Sequence, residues 1–204
     1  SQNHIKTIRK SHLWSMISLT YLNLSHNLID YIEPMFLSNL DILKEVDFSF
    51  NFIKNIDHEI FNVEKNILLN NNKILSFNNI SIDLAENLHV NLAKNELKKF
   101  PEFLFMNSIL TDIMDLSDNN ITIIDSLSIK NLYEKPIRLK NLSLNRNNLR
   151  LIEYNSLLRN LIHLENFDLS QNKLVSLEND TFQTMFKLKY LNLSYNYLET
   201  INPY

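Results

Sequence analysis

The side chains with the strongest chemical character in this chain are scattered carboxylates and imidazoles. Asp47, Asp115 and Asp168 are of the type that binds cations, and His89 and Lys94 are of the type that moves protons. Cysteine and glycine are both absent. Thiolate nucleophiles, thiolate zinc sites and glycine-rich phosphate loops are therefore excluded. Whether the remaining groups can act together depends on the elements that position them.

Those elements come from an internal repeat. Asparagine makes up about one residue in six, and eight of these asparagines, which we call the ladder asparagines, recur at spacings of 21 to 28 residues: Asn27, Asn51, Asn72, Asn95, Asn119, Asn147, Asn172 and Asn196. The first repeat, from Leu19 to Ile32, reads L-x-x-L-x-L-x-x-N-x-I-x-x-I, and the other seven follow this pattern with substitutions among apolar residues and at its first position. A repeat of this length indicates a solenoid.

The apolar positions of the repeat are filled without exception. The residues five and three before each ladder asparagine, and two and five after it, are apolar in all eight repeats. At 45% apolar content this has a chance probability of about 10⁻¹¹. The position eight before the asparagine is weaker, because Glu64, Asn87 and Thr111 occupy it in three consecutive repeats. We expect those coils to be the least regular.

The pattern predicts an α/β solenoid, a horseshoe with a parallel concave β-sheet and an irregular or short-helical convex side. Period-two alternation before each asparagine predicts a short strand, and the asparagine amide can donate to and accept from main-chain groups that would otherwise be buried unpaired. We expect a single array over residues 1–204, with a partial repeat at 1–18 and eight repeats at 19–204. The array has no polar terminal repeat, so we expect it to be an uncapped fragment of a longer solenoid.

This architecture separates the chemical groups. Parallel strands lie about 4.8 Å apart, so Asp47, Asp115 and Asp168, two or three repeats from each other, cannot share one cation. His89 and Lys94 have no adjacent acid and serine in the strand pattern. We predict no catalytic residue, no metal site and no cofactor, and hence a protein that is not an enzyme.

The 24-residue unit with a bulky convex spine resembles the leucine-rich-repeat family, and is similar to Toll-type receptors and chaoptin-type adhesion proteins. The resemblance covers essentially the whole chain. It implies an extracellular recognition ectodomain, although the cysteine-bounded caps of such ectodomains are missing and the lack of cysteine alone mildly favours a reducing compartment.

The exposed face of the predicted sheet is the expected binding surface, formed by the residues six, four, two and one before each ladder asparagine. Exposed aromatic residues and arginine carry much of the energy of protein interfaces. Phe50 with Phe52, and Tyr195 with Tyr197, are predicted to protrude near opposite ends. The ligand-binding candidates on the concave face and its flank are Tyr21, His26, Glu45, Phe50, His89, Lys94, Arg146, Tyr190 and Tyr195.

Six N-x-[ST] sequons are possible glycan acceptors in a secreted chain: Asn23, Asn79, Asn120, Asn141, Asn179 and Asn192. In an asparagine-rich repeat, the sequons at Asn23 and Asn192 can equally arise by accident. The number of sequons and the type of unit favour an extracellular or cell-surface location. Sugars at Asn23, Asn141 and Asn192 would obstruct the concave face there.

Three functions fit these observations. The first is the binding module of a cell-surface receptor ectodomain that recognises a protein or microbial ligand, in innate immunity or development. The second is a chaoptin-like adhesion or matrix protein, and the third is an intracellular scaffold. The expected partner is a protein ligand or another leucine-rich-repeat chain, including a second copy of this one. Because 20 basic residues are dispersed among 23 acidic ones, nucleic acid is not expected, and a membrane is expected only through parts outside this chain.

Overall fold

The computed structural model describes residues 3–56, 66–77, 89–101, 111–124, 137–153 and 157–200. These residues form twelve short strands: β1 Thr7–Ile8, β2 Tyr21–Asn23, β3 Tyr31–Ile32, β4 Glu45–Asp47, β5 Asn66–Leu68, β6 His89–Asn91, β7 Ile113–Asp115, β8 Ile123–Ile124, β9 Asn141–Ser143, β10 Leu151–Ile152, β11 Asn166–Asp168 and β12 Tyr190–Asn192. Two 3₁₀ turns, Lys10–His12 and Leu157–Asn160, are the helical segments in the described ranges.

Eight of the strands form one parallel sheet in the order β2, β4, β5, β6, β7, β9, β11, β12. Each of these strands begins six residues before a ladder asparagine, and its neighbours pair at the same repeat position, as Tyr21 does with Glu45 and Glu45 with Asn66. The register therefore keeps one column of side chains inside and the next outside. The predicted leucine-rich-repeat solenoid with a parallel sheet is confirmed.

The ladder asparagines connect adjacent coils through their side-chain amides. Asn119 shows the pattern, because its Oδ1 accepts the backbone N–H of Leu97 in the preceding coil at 3.0 Å. Its Nδ2 donates to the carbonyls of Leu92 in that coil at 2.9 Å, and of Leu116 and Ser117 in its own coil at 3.1 Å each. No hydrocarbon side chain could replace this, because the groups it satisfies are buried and polar.

The core is a continuous stack of the repeat's apolar positions. Val46, Ile67 and Val90, at the centre of three successive strands, are fully buried. Phenylalanine rings also pack in this core. Phe167 of the sheet meets Phe182 of the convex side edge to face, with ring centroids 6.3 Å apart. In the described ranges, the convex side consists of turns, irregular segments and the two 3₁₀ segments. One of these 3₁₀ segments, Leu157–Asn160, fits the irregular or short-helical convex side predicted from the sequence.

Two additional two-stranded parallel sheets lie after the ladder turn. β1 pairs with β3, and β10 pairs with β8. Each of these strands covers the fourth and fifth residues after the asparagine of its own repeat. The first residues of β1, β3, β8 and β10 are Thr7, Tyr31, Ile123 and Leu151, respectively. These sheets were not predicted from the sequence, although β-branched or aromatic residues at seven of their eight positions favour extended backbone.

Some sequence predictions fall outside the described residues. Among them are the irregularity expected at Glu64 and Asn87 and the sequon at Asn79. Thr111, the third polar residue at that repeat position, is described and is completely buried. Its hydroxyl has no hydrogen-bond partner among the described residues.

Candidate functional site

The concave face is built from the two outward residues of each strand. The residue four before the ladder asparagine is Asn or Asp in six of the eight repeats, and in all six its side-chain oxygen accepts the N–H of the residue two further along. The bonds join Asn23 to Ser25, Asp47 to Ser49, Asn91 to Ala93, Asp115 to Ser117, Asp168 to Ser170 and Asn192 to Ser194, at 2.8 to 3.1 Å. This column therefore terminates six of the eight strands with a turn, a structural role that accounts for Asp47, Asp115 and Asp168.

The residue directly before the ladder asparagine has left-handed backbone in every repeat. These eight residues, which we call the αL column, have φ between 51° and 56°: His26, Phe50, Asn71, Lys94, Asp118, Arg146, Gln171 and Tyr195. In seven of them the backbone N–H donates to the carbonyl two before the next ladder asparagine, as from His26 to Ser49 at 3.0 Å and from Lys94 to Ser117 at 2.9 Å. The column thus lies at the turn beside the sheet rather than on a strand.

The αL column carries five of the nine predicted binding residues. At one end, the rings of His26 and Phe50 stack with centroids 4.2 Å apart and planes 9° apart. Phe52 lies nearby and is 40% exposed, and the Lys73 ammonium sits 4.8 Å from its ring centroid. At the other end, Tyr195 is 81% exposed. Lys94 is exposed between these two ends.

Arg146 is engaged by its neighbour in the column. Its Nε and Nη2 donate to the two carboxylate oxygens of Asp118 at 2.6 and 2.8 Å. The hydrogen bond to Asp118, followed by the charge of Asp118, raises the pKa of Arg146. An exposed pair of this kind contributes about 0–1 kcal/mol, so a ligand could recruit either partner at little cost.

Asp168, on strand β11, is close enough to Arg146 for its charge to act on that side chain. Burial, the largest influence, raises the pKa of its carboxyl group, but hydrogen bonds from the hydroxyl and N–H of Ser170 and from Asn145 and Asn192 outweigh it. The net result is a pKa below the ordinary value of 3.8. Asp168 is therefore charged at neutral pH.

The remaining binding candidates lie on the strands. Tyr21 and Tyr190 are each 50% exposed at the two edges of the sheet. Glu45 and His89 are half-buried, and both are hydrogen-bonded to Asn66. The Nδ2 of Asn66 donates to Glu45 Oε2 at 3.3 Å, and its Oδ1 accepts the backbone N–H of His89 at 3.3 Å. The structure does not gather the nine candidates into one cluster.

The described sequon asparagines lie on different faces. Asn120 and Asn179 are exposed after the ladder turn and on the convex side, and Asn23 is exposed on the concave face. Asn141 and Asn192 are partly buried on the concave face, where Asn141 Oδ1 accepts from Asn166 at 2.6 Å. Their glycosylation stays a prediction.

The described residues contain no group of three or more His, Cys, Asp and Glu side chains that could hold a metal ion. Within the same ranges no helix is long and apolar enough to cross a membrane. The chemistry this surface offers is recognition through rings, amides and dispersed charges.

Family models and relatives agree with the repeat. Leucine-rich-repeat models match residues 162–204 and 18–40. Chaoptin of Drosophila melanogaster is 30% identical over 99% of this chain, and Tsukushi of Gallus gallus is 29% identical over 80% of it. A dynein heavy chain-like protein 2 of Plasmodium falciparum is 31% identical over 44% of the chain. The chain spans only 17%, 45% and 2% of these three relatives, respectively.

Solved structures share the fold. The Toll-like receptor chain of a TLR13–ssRNA13 complex matches 98% of this chain with a TM-score of 0.83 and 22% identity, and this chain covers 28% of that one. A chain of the Drosophila Toll–Spatzle complex matches 95% with a TM-score of 0.65 and 22% identity, and 31% of it is covered. Because the first of these complexes contains RNA, the fold by itself does not exclude nucleic acid, and our expectation of no nucleic-acid partner stays a prediction.

One assignment accounts for the asparagine ladder, the eight-stranded parallel sheet and the leucine-rich-repeat models that match residues 18–40 and 162–204. This chain is a leucine-rich-repeat protein, similar in sequence to chaoptin and Tsukushi and in fold to Toll-type ectodomains.

Proposed function

We propose that the chain is a single array of leucine-rich repeats that serves as the protein-binding part of a cell-surface receptor ectodomain and carries out no catalysis. The αL column is the observation that supports this most directly. All eight of its members have the same backbone geometry, yet they are eight different residue types. A scaffold that fixes where side chains are placed, but not which ones, suits recognition of a particular partner.

The relatives support a place outside the cell. Toll in complex with Spatzle is a leucine-rich-repeat protein bound to a protein. The sequons at Asn23, Asn120 and Asn179, which are exposed, are consistent with secretion. A protein ligand, or another leucine-rich-repeat chain, is accordingly the proposed partner.

Cell adhesion is the second candidate, and one observation favours it specifically. The similarity to chaoptin, at 30% identity, extends over 99% of the chain, compared with 80% for Tsukushi. In that case the partner would be another leucine-rich-repeat chain on an opposing membrane.

Two measurements on the full-length protein in its own cells test these proposals. Surface biotinylation, with a mass loss after glycosidase treatment, is expected for an ectodomain, and a protein that is neither labelled nor glycosylated would refute extracellular function. Mixing two dye-labelled cell populations that express the protein then separates the two roles. Aggregation that depends on expression in both populations indicates adhesion, whereas single dispersed cells that bind a soluble ligand indicate a receptor.

A further inference from the structure

An aromatic groove lies beside the ladder turns of the first three coils. It is lined by Asn3, His4, His26, Asn27, Leu28, Phe50 and Phe52 and has a volume of about 210 Å³. Small-molecule pockets usually hold about 300–1,000 Å³. The groove is thus too small for a complete organic ligand and is suited to a single side chain.

The walls of the groove are fixed by backbone bonds. His26 and Phe50 are held in left-handed backbone, and their N–H groups donate to Ser49 and Asn70 at 3.0 Å each. The N–H of Phe52 donates to Ile29 at 2.8 Å. These bonds fix the main chain from which the stacked rings of His26 and Phe50 project, so an incoming ring would meet walls whose backbone is already ordered.

The charge at the groove comes from one lysine at its rim. None of its seven lining residues is acidic, two are histidines, and the Lys73 ammonium lies over Phe52 at its rim. The amide of Asn27 is already used, because its Oδ1 accepts from Ile5 and its Nδ2 donates to Leu24 and Ser25. The polar groups left for a partner are Asn3, His4 and His26 in the lining and the Lys73 ammonium at the rim. The positive charge of Lys73 favours an anion.

We propose that this groove binds an aromatic side chain that is flanked by carboxylates in a protein partner. The proposal rests on the proposed protein-binding function and names the chemistry of one contact. The aromatic ring lies against Phe50 and Phe52, and a neighbouring carboxylate meets Lys73. The rim charge selects against a basic segment that carries the same ring.

The test uses short capped peptides as probes and the 204-residue chain. Binding of Asp-Phe-Asp, Lys-Phe-Lys and Asp-Ala-Asp is followed by the histidine imidazole proton signals in NMR titrations. Asp-Phe-Asp should saturate with a dissociation constant of about 1 mM, as a single anchoring side chain would give. The other two peptides should bind at least fivefold more weakly.

Two variants have matched controls at the same repeat positions. Phe50→Asn preserves the backbone, because Asn71 holds the same left-handed position in the next coil, and its control is Tyr195→Asn. Lys73→Glu is compared with Lys173→Glu, since both lysines follow a ladder asparagine and donate their N–H to the preceding coil. Phe50→Asn and Lys73→Glu should each raise the dissociation constant for Asp-Phe-Asp at least fivefold. The dissociation constants of the two controls should stay within twofold of that of the parent chain. Circular dichroism checks that all four are folded.

Three results would overturn the groove proposal. They are equal binding of the acidic and basic peptides, equal weakening by Phe50→Asn and Tyr195→Asn, or a concentration-dependent dimer in sedimentation that Phe50→Asn abolishes. The last result would assign the groove to a second copy of this chain. Surface labelling and cell aggregation are measured independently of the peptide titrations, so a failure of the groove proposal can be distinguished from a failure of the proposed function.

Discussion

Replacement of one central ladder asparagine measures what the ladder contributes to stability. In Asn119→Ala, the buried N–H of Leu97 loses its acceptor. Leaving such a group unpaired costs about 1–3 kcal/mol. The two amide protons of Asn119, shared by three carbonyls, contribute about 1 kcal/mol each. The expected loss is about 3–5 kcal/mol, a large part of the about 5–15 kcal/mol that holds a domain folded.

Two controls separate the ladder from a general loss of asparagine. Asn120→Ala removes the exposed neighbour and should change stability by less than about 0.5 kcal/mol. Asn27→Ala removes the first ladder asparagine. Its described bonds, to Ile5, Leu24 and Ser25, are only partly buried, so the change should cost less than Asn119→Ala. The full order of losses is therefore Asn119, then Asn27, then Asn120.

Urea unfolding followed by circular dichroism gives the free energies, and amide hydrogen exchange locates the effect. Because repeats contact only their neighbours, exchange should rise mainly in the coils of Asn95, Asn119 and Asn147. The reasoning is refuted if Asn119→Ala and Asn120→Ala unfold at the same urea concentration. It is also refuted if the Leu97 amide exchanges no faster in the variant.

Three further changes test other features. Lys94→Val should destabilise the fold by about 1–2 kcal/mol relative to Lys94→Gly in thermal melts, because a branched side chain is strained at a φ of 54°; equal melting would contradict the strain. Asp168→Asn keeps the turn-forming oxygen but removes the charge. The lowered pKa of Asp168 means that its ionisation stabilises the fold above pH 3.8 and that this contribution is lost as the pH falls through the lowered pKa. The variant should therefore lose less stability than the parent between pH 4 and about pH 2, and parallel urea curves there would argue against it. Thr111→Val should stabilise by about 1 kcal/mol, since it replaces a buried hydroxyl without a described partner by an isosteric methyl group; a loss of stability would imply that the hydroxyl is bonded.

The interior of this fold was predictable because it obeys position-specific rules. A polar asparagine that recurs among apolar residues has few roles other than satisfying buried backbone groups, and the fixed strand register follows from period-two alternation. Leu22, Val46 and Ile67 therefore fell on the inner face as expected. The convex turns were less predictable, since they depend on local packing rather than on a repeated pattern.

The left-handed backbone of the αL column was not predicted from the sequence, because its residues share a conformation rather than a residue type. His26, Phe50 and Lys94 look like ordinary surface residues, and a chain without glycine gives no cue to positive φ. A signal was nonetheless present, since none of the eight members is β-branched. The turn-forming role of the Asn and Asp residues four before each ladder asparagine was not predicted either, although Asn and Asp commonly form such turns at the ends of strands.

The αL column also explains how a rigid scaffold can leave its exposed residues free to differ. Left-handed backbone costs a non-glycine residue about 1–2 kcal/mol, and here the cost is offset by the N–H bond to the next coil and by the ladder asparagine that follows. Neither contribution involves the side chain of the αL residue itself. Stacking as at His26–Phe50, ion pairing as at Arg146–Asp118 and full exposure as at Tyr195 are thus compatible with one backbone. Because the fold uses the main-chain atoms of these residues and not their side chains, the proposed binding surface can change while the solenoid stays the same.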